Sequence, residues 1–360
     1  MDTPTLLSPL ANDQLNFKNR VFMAPMTRSR APEHLATDLM ADYYRQRASA
    51  GLIISEGAQI STQGIGYIFT PGIHTADQAE SWKKVTNAVH EEGGLIFTQL
   101  WHVGRVSHPD FHDGELPVAP SSISFEGTAY TTSGPKQIET PRALSLEEIP
   151  QVIADFKNAA IRAKEAGFDG VEIHGANGYL LHQFLEDGPN QRTDIYGGSI
   201  ENRARFMLEV YDAVNEVWPG NRISMRLSPR NPYNGMGDSD PERTYLYAIG
   251  ELQKRGLGIL HLIEPFELSE GIERITPKAR EIFTGTIIVN AGFTKETAER
   301  VIGENQADAV SFARSFLANP DLPERFAHDA ELNTPDQATF YGGDEKGYTD
   351  YPFLERTITA

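Results

Sequence analysis

Gly170-Val171-Glu172-Ile173-His174-Gly175-Ala176-Asn177-Gly178-Tyr179-Leu180-Leu181-His182-Gln183-Phe184-Leu185 reads as a short strand that finishes on chemistry. Gly170 to Ile173 has the β-branched character of a buried strand, and His174, Asn177 and Tyr179 follow where that strand ends. Two neutral hydrogen-bond donors and a phenol in that place suit a site that holds a carbonyl or nitro oxygen and supplies a proton. If the turn beyond the strand is helical, positions three apart share a face, and His174 and Asn177 can grip one oxygen together. The plainer reading of the same residues is a strand cap with a satisfied histidine.

Outward from this stretch, short apolar runs alternate with longer amphipathic segments. Strands are expected at Val21–Met26, Leu52–Ser55, Leu95–Gln99, Gly170–Ile173, Ile223–Leu227, Ile259–Ile263, Thr286–Val289 and Ala309–Phe312. Helices are expected at Leu35–Ala50, Ala76–Glu92, Leu146–Ala166, Ser199–Val217, Pro241–Arg255, Pro277–Ile282, Lys295–Ile302 and Asp321–His328. Regular strand–helix alternation implies a parallel sheet, and eight such units imply closure into an α/β fold of the (β/α)8 TIM-barrel type. Glycines punctuate helix ends at Gly93, Gly167 and Gly256, as C-terminal caps require. Residues 5–17 are expected to form a short N-terminal hairpin closing the barrel's bottom. The long irregular loop after strand three, Trp101 to Arg142, falls on the catalytic face and suits a lid or channel wall. Residues 1–360 read as one domain, with a loose tail at Glu355–Ala360.

Composition narrows the function. The chain has 360 residues, 39% of them hydrophobic, and a formal net charge of −18. Phosphate-rich partners repel such a chain, so neither nucleic acid nor an anionic membrane is expected. With no cysteine, structural disulfides, thiolate metal sites, iron–sulfur clusters and cysteine nucleophiles are excluded. The N-terminus lacks the pattern of a signal peptide, no apolar run approaches a membrane span, and the expected location is cytoplasmic.

Active sites of such barrels gather where the strands finish. Strand one is followed by Pro25-Met26-Thr27-Arg28, strand two by Glu56-Gly57-Ala58, and strand three by Gln99-Leu100-Trp101-His102. Strand four ends at His174, strand five carries Arg226, strand seven is followed by Asn290-Ala291-Gly292, and strand eight by Ala313-Arg314. Glycine after strand seven and Ala-Arg after strand eight match where barrels often bind a phosphate.

With these residues in place, the chain resembles the Old Yellow Enzyme family of FMN-dependent ene-reductases, the group that includes N-ethylmaleimide and xenobiotic reductases. The resemblance is carried by Met23-Ala24-Pro25-Met26-Thr27-Arg28, Gln99-Leu100-Trp101-His102-Val103-Gly104-Arg105, His174 through Leu185, Arg226-Leu227-Ser228-Pro229 and Gly347-Tyr348-Thr349-Asp350-Tyr351-Pro352. It implies FMN across the barrel mouth. Pro25, Met26 and Gly57 would offer backbone contacts to the flavin edge, Thr27 would bond its O4, and Gln99 its pyrimidine ring. Arg226 would stand near N1 and O2, and Gly292, Ala313 and Arg314 would hold the phosphate. His174 and Asn177 would bind the acceptor's oxygen, Tyr179 would donate the proton, and Tyr67, Trp101, Asn234 and Tyr341 would line the channel. The implied activity is ping-pong reduction of C=C bonds activated by carbonyl or nitro groups, with NADPH or NADH as reductant, hydride from flavin N5 and a proton from Tyr179. Activated alkenes, nitro compounds and nitrate esters are the implied partners, and the protein would be a monomer or homodimer.

Departures and rivals stand beside this reading. Ala313 occupies a position that is usually glycine, and Arg230-Asn231-Pro232-Tyr233 is an unusual start for the loop after strand five. His102, His108 and His112 cluster, but in an irregular segment without paired carboxylates, so no metal is expected. Glu56, Glu172 and Glu264 lie near strand ends and imitate a glycosidase pair, although Glu172 is expected to point away from His174. A barrel glycoside hydrolase and a non-catalytic flavin- or phosphate-binding barrel are therefore the alternatives. Since Asn177 cannot titrate, His174 is the expected source of any titration near neutral pH.

Overall fold

In the computed structural model, which describes residues 4–12, 15–265 and 272–355, eight parallel strands close on themselves in chain order. They are β1 (Val21–Met23), β2 (Ile53–Gln59), β3 (Ile96–Trp101), β4 (Gly170–Gly175), β5 (Ile223–Leu227), β6 (Ile259–Ile263), β7 (Thr286–Asn290) and β8 (Ala309–Phe312). The intervening helices are α1 (Asp38–Gln46), α2 (Ala76–Glu91), α3 (Ile149–Glu165), α4 (Leu180–Leu185), α5 (Ile200–Asn215), α6 (Pro241–Lys254), α7 (Thr276–Ile282), α8 (Lys295–Gly303), α9 (Arg314–Ala318) and α10 (Leu322–Ala327). The expected TIM barrel is the observed one.

Period two along each strand sorts the side chains. Val171, Ile173, Met225, Leu260, Ile287, Val289 and Val310 point outward and pack under the helices. Phe22, Ile54, Phe97, Ile259, Ile288 and Ala309 point inward and fill the bottom of the barrel. The N-terminal hairpin, Leu10–Asn12 paired antiparallel with Leu15–Phe17, supplies the plug: Leu15 and Phe17 join that inner cluster, and the Phe17 and Phe22 rings lie 4.9 Å apart. Full burial of each such side chain contributes about 1.5–3 kcal/mol.

Element ends follow local chemistry. β1 stops at Met23, three residues before the expected end. Ala24 still donates to Phe312, but Pro25 has no N–H with which to continue the ladder. α1 starts at Asp38 because the Thr37 hydroxyl caps the Met40 N–H at 3.3 Å. Thr75 and Gln78 form a reciprocal capping box at the head of α2. β2, β3 and β4 run further than expected, and the added residues, among them Glu56, Gln59, Trp101 and His174, are buried as well. The loop after β3 carries its own hairpin, Thr128–Thr131 with Gly134–Gln137, which composition alone did not reveal. Beyond Glu355, the tail read at Glu355–Ala360 lies outside the described residues.

Candidate active site

A polar layer sits inside the barrel just above its apolar plug. Glu172 is fully buried. Gln99 Nε2 donates to its Oε1 at 2.9 Å, Ser224 Oγ donates to its Oε2 at 2.9 Å, and His261 Nδ1 lies 2.7 Å from the same Oε2. His261 Nε2 is in turn 2.7 Å from Ser311 Oγ. Burial alone would raise the Glu172 carboxyl, but the adjoining His261, the Arg226 charge and the Ser224 hydroxyl hold it below the usual carboxylate range. Burial also holds His261 down, so the pair is an anion beside a neutral imidazole. Glu172 therefore shares the inward face with His174, two residues on, contrary to the expectation that it points away. The two-residue period of a strand requires this.

Above the layer, the strand ends open into a cleft of about 280 Å³. His174 and Arg226 are register partners on β4 and β5, and both line it. Arg226 Nη2 donates to the neutral Asn290 Oδ1 at 3.1 Å, which leaves its charge uncancelled by any direct carboxylate contact. Burial, then Arg226, His182 and His261, push the His174 imidazole well below its ordinary value. His174 thus stays neutral across the working range, which overturns the expectation that it titrates near pH 7.

The turn that follows is not helical. Asn177 and Gly178 take φ of +56° and +76°, a left-handed pair that asparagine and glycine tolerate best. Among the bonds that hold it are Asn177 N–H to Ser228 Oγ at 2.9 Å, Gly178 N–H to His182 Nδ1 at 2.8 Å, and Asn234 Nδ2 to Asn177 O at 2.9 Å. Behind it, His182 lies against Glu186 and Tyr245 in a fully buried trio. The turn brings Asn177 and Tyr179 to the cleft beside His174, by left-handed backbone and not by helical spacing.

Tyr179 packs edge-on to the His174 and Trp101 rings, at 5.0 and 5.1 Å. Its hydroxyl lies 3.0 Å from that of Tyr67, whose ring stacks on Trp101 at 5.3 Å. Burial raises both phenols well above their ordinary value, so both keep their protons. Trp101 faces the cleft; Tyr67 meets it through Tyr179 and Trp101, and Asn234 through the Asn177 carbonyl. Gly57 lies against Trp101: a Cβ there would come within 2.6 Å of the ring, so the glycine makes room for the indole.

Pro25, Met26, Thr27, Gln99, Ala313 and Arg314 complete the cleft's other walls with Tyr341. Ala313 has φ −94°, a conformation open to alanine. Across from it, Gly292 has φ +74° with open space over its Cα, and Ala291 has φ +100°.

Sequence reasoning missed Arg28, Leu317 and Phe340, which also line the cleft. Arg28 is buried beside the Tyr43 and Tyr348 rings, which stack on each other at 4.0 Å. It donates to the carbonyls of Phe340 at 2.9 Å and Gly347 at 2.8 Å, and so straps the C-terminal segment over the mouth. The motif that contains Arg28 was visible; its partner 312 residues away was not.

The chemistry of this cleft is donor-rich. Among the described residues, Arg226 Nε, Arg28 Nη1 and His174 Nδ1 are buried without a protein partner, and no carboxylate lines the cleft. A flat ligand rich in acceptor atoms and carrying an anionic end, as FMN is, fits these groups. The glycosidase alternative fails here. Glu264 is taken up by the Ile275 and Thr276 amides, Glu56 by Arg28 N–H and Tyr44, and Glu172 by the polar layer. The ring nitrogens of the His102–His112 cluster bond to Gly104 N–H, Asp110 N–H and Ser107. A wider groove of about 730 Å³ beside α6 holds charges that pair with each other, as Arg230 does with Glu242 at 3.6 Å.

Comparison with known proteins agrees with this chemistry. A model of the NADH:flavin oxidoreductase / NADH oxidase family matches residues 5–333. The chain is 45% identical over 360 residues to 12-oxophytodienoate reductase 1 of Oryza sativa subsp. japonica, spanning 97% of this chain and 93% of that protein. Morphinone reductase in complex with tetrahydroNAD superposes with a TM-score of 0.94 at 50% identity, over 99% of both chains. The old yellow enzyme homologue from Zymomonas mobilis superposes at 0.95 with 42% identity, over 98% of this chain and 100% of the other.

Proposed function

Because the chain belongs to the NADH:flavin oxidoreductase / NADH oxidase family, the Old Yellow Enzyme family, we propose a division of labour among the residues of its cleft. The protein is an FMN-dependent oxidoreductase that draws on a nicotinamide and reduces activated C=C bonds. Bound FMN supplies the hydride chemistry, accepting from the nicotinamide and passing to the alkene.

The protein's residues bind, polarise and protonate. Pro25, Met26, Thr27, Gly57 and Gln99 would hold the flavin ring, and Gly292, Ala313 and Arg314 its phosphate. Arg226 would place a fixed cation where negative charge collects on reduction, a preorganised electrostatic contribution. His174 and Asn177 bind the acceptor's oxygen from one side of the cleft, and a neutral imidazole polarises a carbonyl without giving up its proton. Tyr179 then donates its proton to the α-carbon. A phenol is a weak acid, but the developing carbanion is a strong base. Trp101 and Tyr341 border the acceptor, with Tyr67 and Asn234 in support.

The observation that carries this reading is the neutral trio His174, Asn177 and Tyr179 converging on one cleft that faces Arg226 and, among the described residues, holds no carboxylate. The tetrahydroNAD complex of morphinone reductase supports nicotinamide binding in the same cleft, with NADPH or NADH. Nitroalkenes and nitrate esters present the same kind of oxygen and belong to the proposed acceptor range. Residues 1–360 act as one unit, as monomer or homodimer. Among the described residues no helix is long and apolar enough to cross a membrane, and we place the protein in the cytoplasm. The test is spectroscopic and kinetic: the purified protein should show flavin absorbance and oxidise NAD(P)H faster when cyclohexenone is present. A flavin-free protein, or oxidation indifferent to the enone, would contradict the proposal.

A further inference from the structure

The loop after β5, with its unusual Arg230-Asn231-Pro232-Tyr233 start, touches the oxygen-binding pair from behind. Asn231 Nδ2 donates to Asn177 Oδ1 at 3.1 Å. The Asn231 side chain is fixed in its turn: its Oδ1 accepts from the Tyr233 backbone N–H at 3.1 Å. That closes an Asx turn across Pro232, which has no N–H to compete. Asn231 itself donates its backbone N–H to Ser228 O at 3.3 Å, and the Ser228 hydroxyl holds the Asn177 N–H at 2.9 Å. One loop therefore grips both the backbone and the side chain of Asn177.

These bonds have a direction. An asparagine amide can turn either end toward a ligand, because its oxygen accepts and its nitrogen donates. A backbone N–H can only donate. Tyr233 N–H therefore obliges Asn231 to present its oxygen there and its nitrogen to Asn177. Asn177 must then meet Asn231 with its oxygen, and its own nitrogen is left for the cleft, which Asn177 lines and Asn231 does not.

We propose that Asn231 is a positioning residue that fixes the Asn177 amide, so that Asn177 meets the acceptor's oxygen with its N–H2 group and not with its carbonyl. The inference rests on the reading of Asn177 as an oxygen-binding group. It gives the departure in this loop a purpose: a neutral, non-titrating relay from a backbone amide to the substrate.

Substitution of the relay residue tests the proposal. Asn231→Asp keeps the shape and the acceptor for Tyr233 N–H, but it offers Asn177 an acceptor, which turns the amide over and points its oxygen at the ligand. Asn231→Leu removes the bond without imposing the flip. The probe is para-chlorophenol titrated into the oxidised holoenzyme, followed by its long-wavelength charge-transfer absorbance, with flavin content measured in every variant. Asn231→Asp should weaken the phenol by about tenfold or more, the scale of a hydrogen bond turned into a clash of acceptors, and Asn231→Leu by about threefold. Flavin content should not change. In an Asn177→Ala background the same Asn231→Asp exchange should cost less than about twofold, because the two residues act as one coupled unit. The inference is overturned alone if Asn177→Ala weakens the phenol but Asn231→Asp does not. It is also overturned if Asn231→Asp costs as much in the Asn177→Ala background as in the parent, which would reveal a charge or structural effect that bypasses the amide. If Asn177→Ala binds as tightly as the parent, Asn177 leaves the oxygen site and the inference falls with that reading.

Discussion

The Tyr179 hydroxyl lies 3.0 Å from the Tyr67 hydroxyl, and burial keeps both phenols protonated. When Tyr179 gives up its proton, Tyr67 can donate to the phenolate that is left. Hydrogen bonds to charged groups are the strong ones. Tyr67→Phe should therefore slow the enone half-reaction by about 10- to 100-fold, spare flavin reduction by NAD(P)H, and add little to a Tyr179→Phe background. Rapid mixing of each half-reaction checks this. Equal slowing of both would assign Tyr67 to packing on Trp101 alone.

The buried Glu172 anion lies one layer below the mouth, where its field reaches Arg226 and its carboxylate orients Gln99. Glu172→Gln removes a negative charge beneath the flavin while keeping acceptor and shape. Reduced flavin gains most from that loss, so its potential should rise by about 30 mV or more, a tenfold shift for a two-electron couple. Spectroelectrochemistry reads it directly, and an unchanged or lowered potential would remove Glu172 from the electrostatics of the site.

Ala313 sits at φ −94°, where alanine costs nothing that glycine would save. Ala313→Gly should change the FMN dissociation constant less than about tenfold. Arg314→Ala should weaken it more, through the loss of a charge-assisted bond. Fluorescence titration of the apoprotein measures both. Recovery of tight binding only on Ala313→Gly would show that the methyl group obstructs the phosphate.

Glu56 supplies a pH test of the strap. Burial raises its carboxyl from 4.5 to about 7, against the opposing pull of the Arg28 N–H bond, the Arg28 charge and the Tyr44 hydroxyl. The folded state keeps this proton while the unfolded chain has lost it. Its contribution is therefore full below about pH 4.5 and is lost as pH rises through 7. Relative to Glu56→Gln, the parent's stability should decline over that window by an amount on the order of a few kcal/mol. Urea midpoints at intervals from pH 4.5 to 8 measure it, and parallel curves would place the Glu56 titration elsewhere.

The barrel was legible because its outward strand residues and helix stripes follow the apolar pattern, and because the glycines and caps mark ends. The mouth was less so. Ser224, His261 and Ser311 are polar yet buried, and only the inward face of a closed sheet explains them. Glu172 falls on that inward face with His174, and β2 and β4 run past their apolar stretches to take in Gln59 and His174. The site residues stood out by chemical type at the strand ends. Their geometry did not: the 176–179 turn is left-handed, His174 is held neutral by burial and Arg226, and Tyr67 and Asn234 bond to Tyr179 and Asn177. Arg28 reaches Phe340 across 312 residues, a contact that no local pattern encodes.

We assign Tyr179 the role of proton donor and nothing more, beside the oxygen grip of His174 and Asn177. Anaerobic rapid mixing of Tyr179→Phe holoenzyme, first with NAD(P)H and then with cyclohexenone, tests it most directly. Flavin reduction should proceed at the parent's rate, while reoxidation by the enone should fall by about 10²–10⁴-fold, the usual contribution of a general acid. A nitroalkene should suffer less, because its nitronate is stable enough to leave unprotonated. Equal loss in both half-reactions, or reoxidation by the enone at the parent's rate, would take the proton-donor role away from Tyr179.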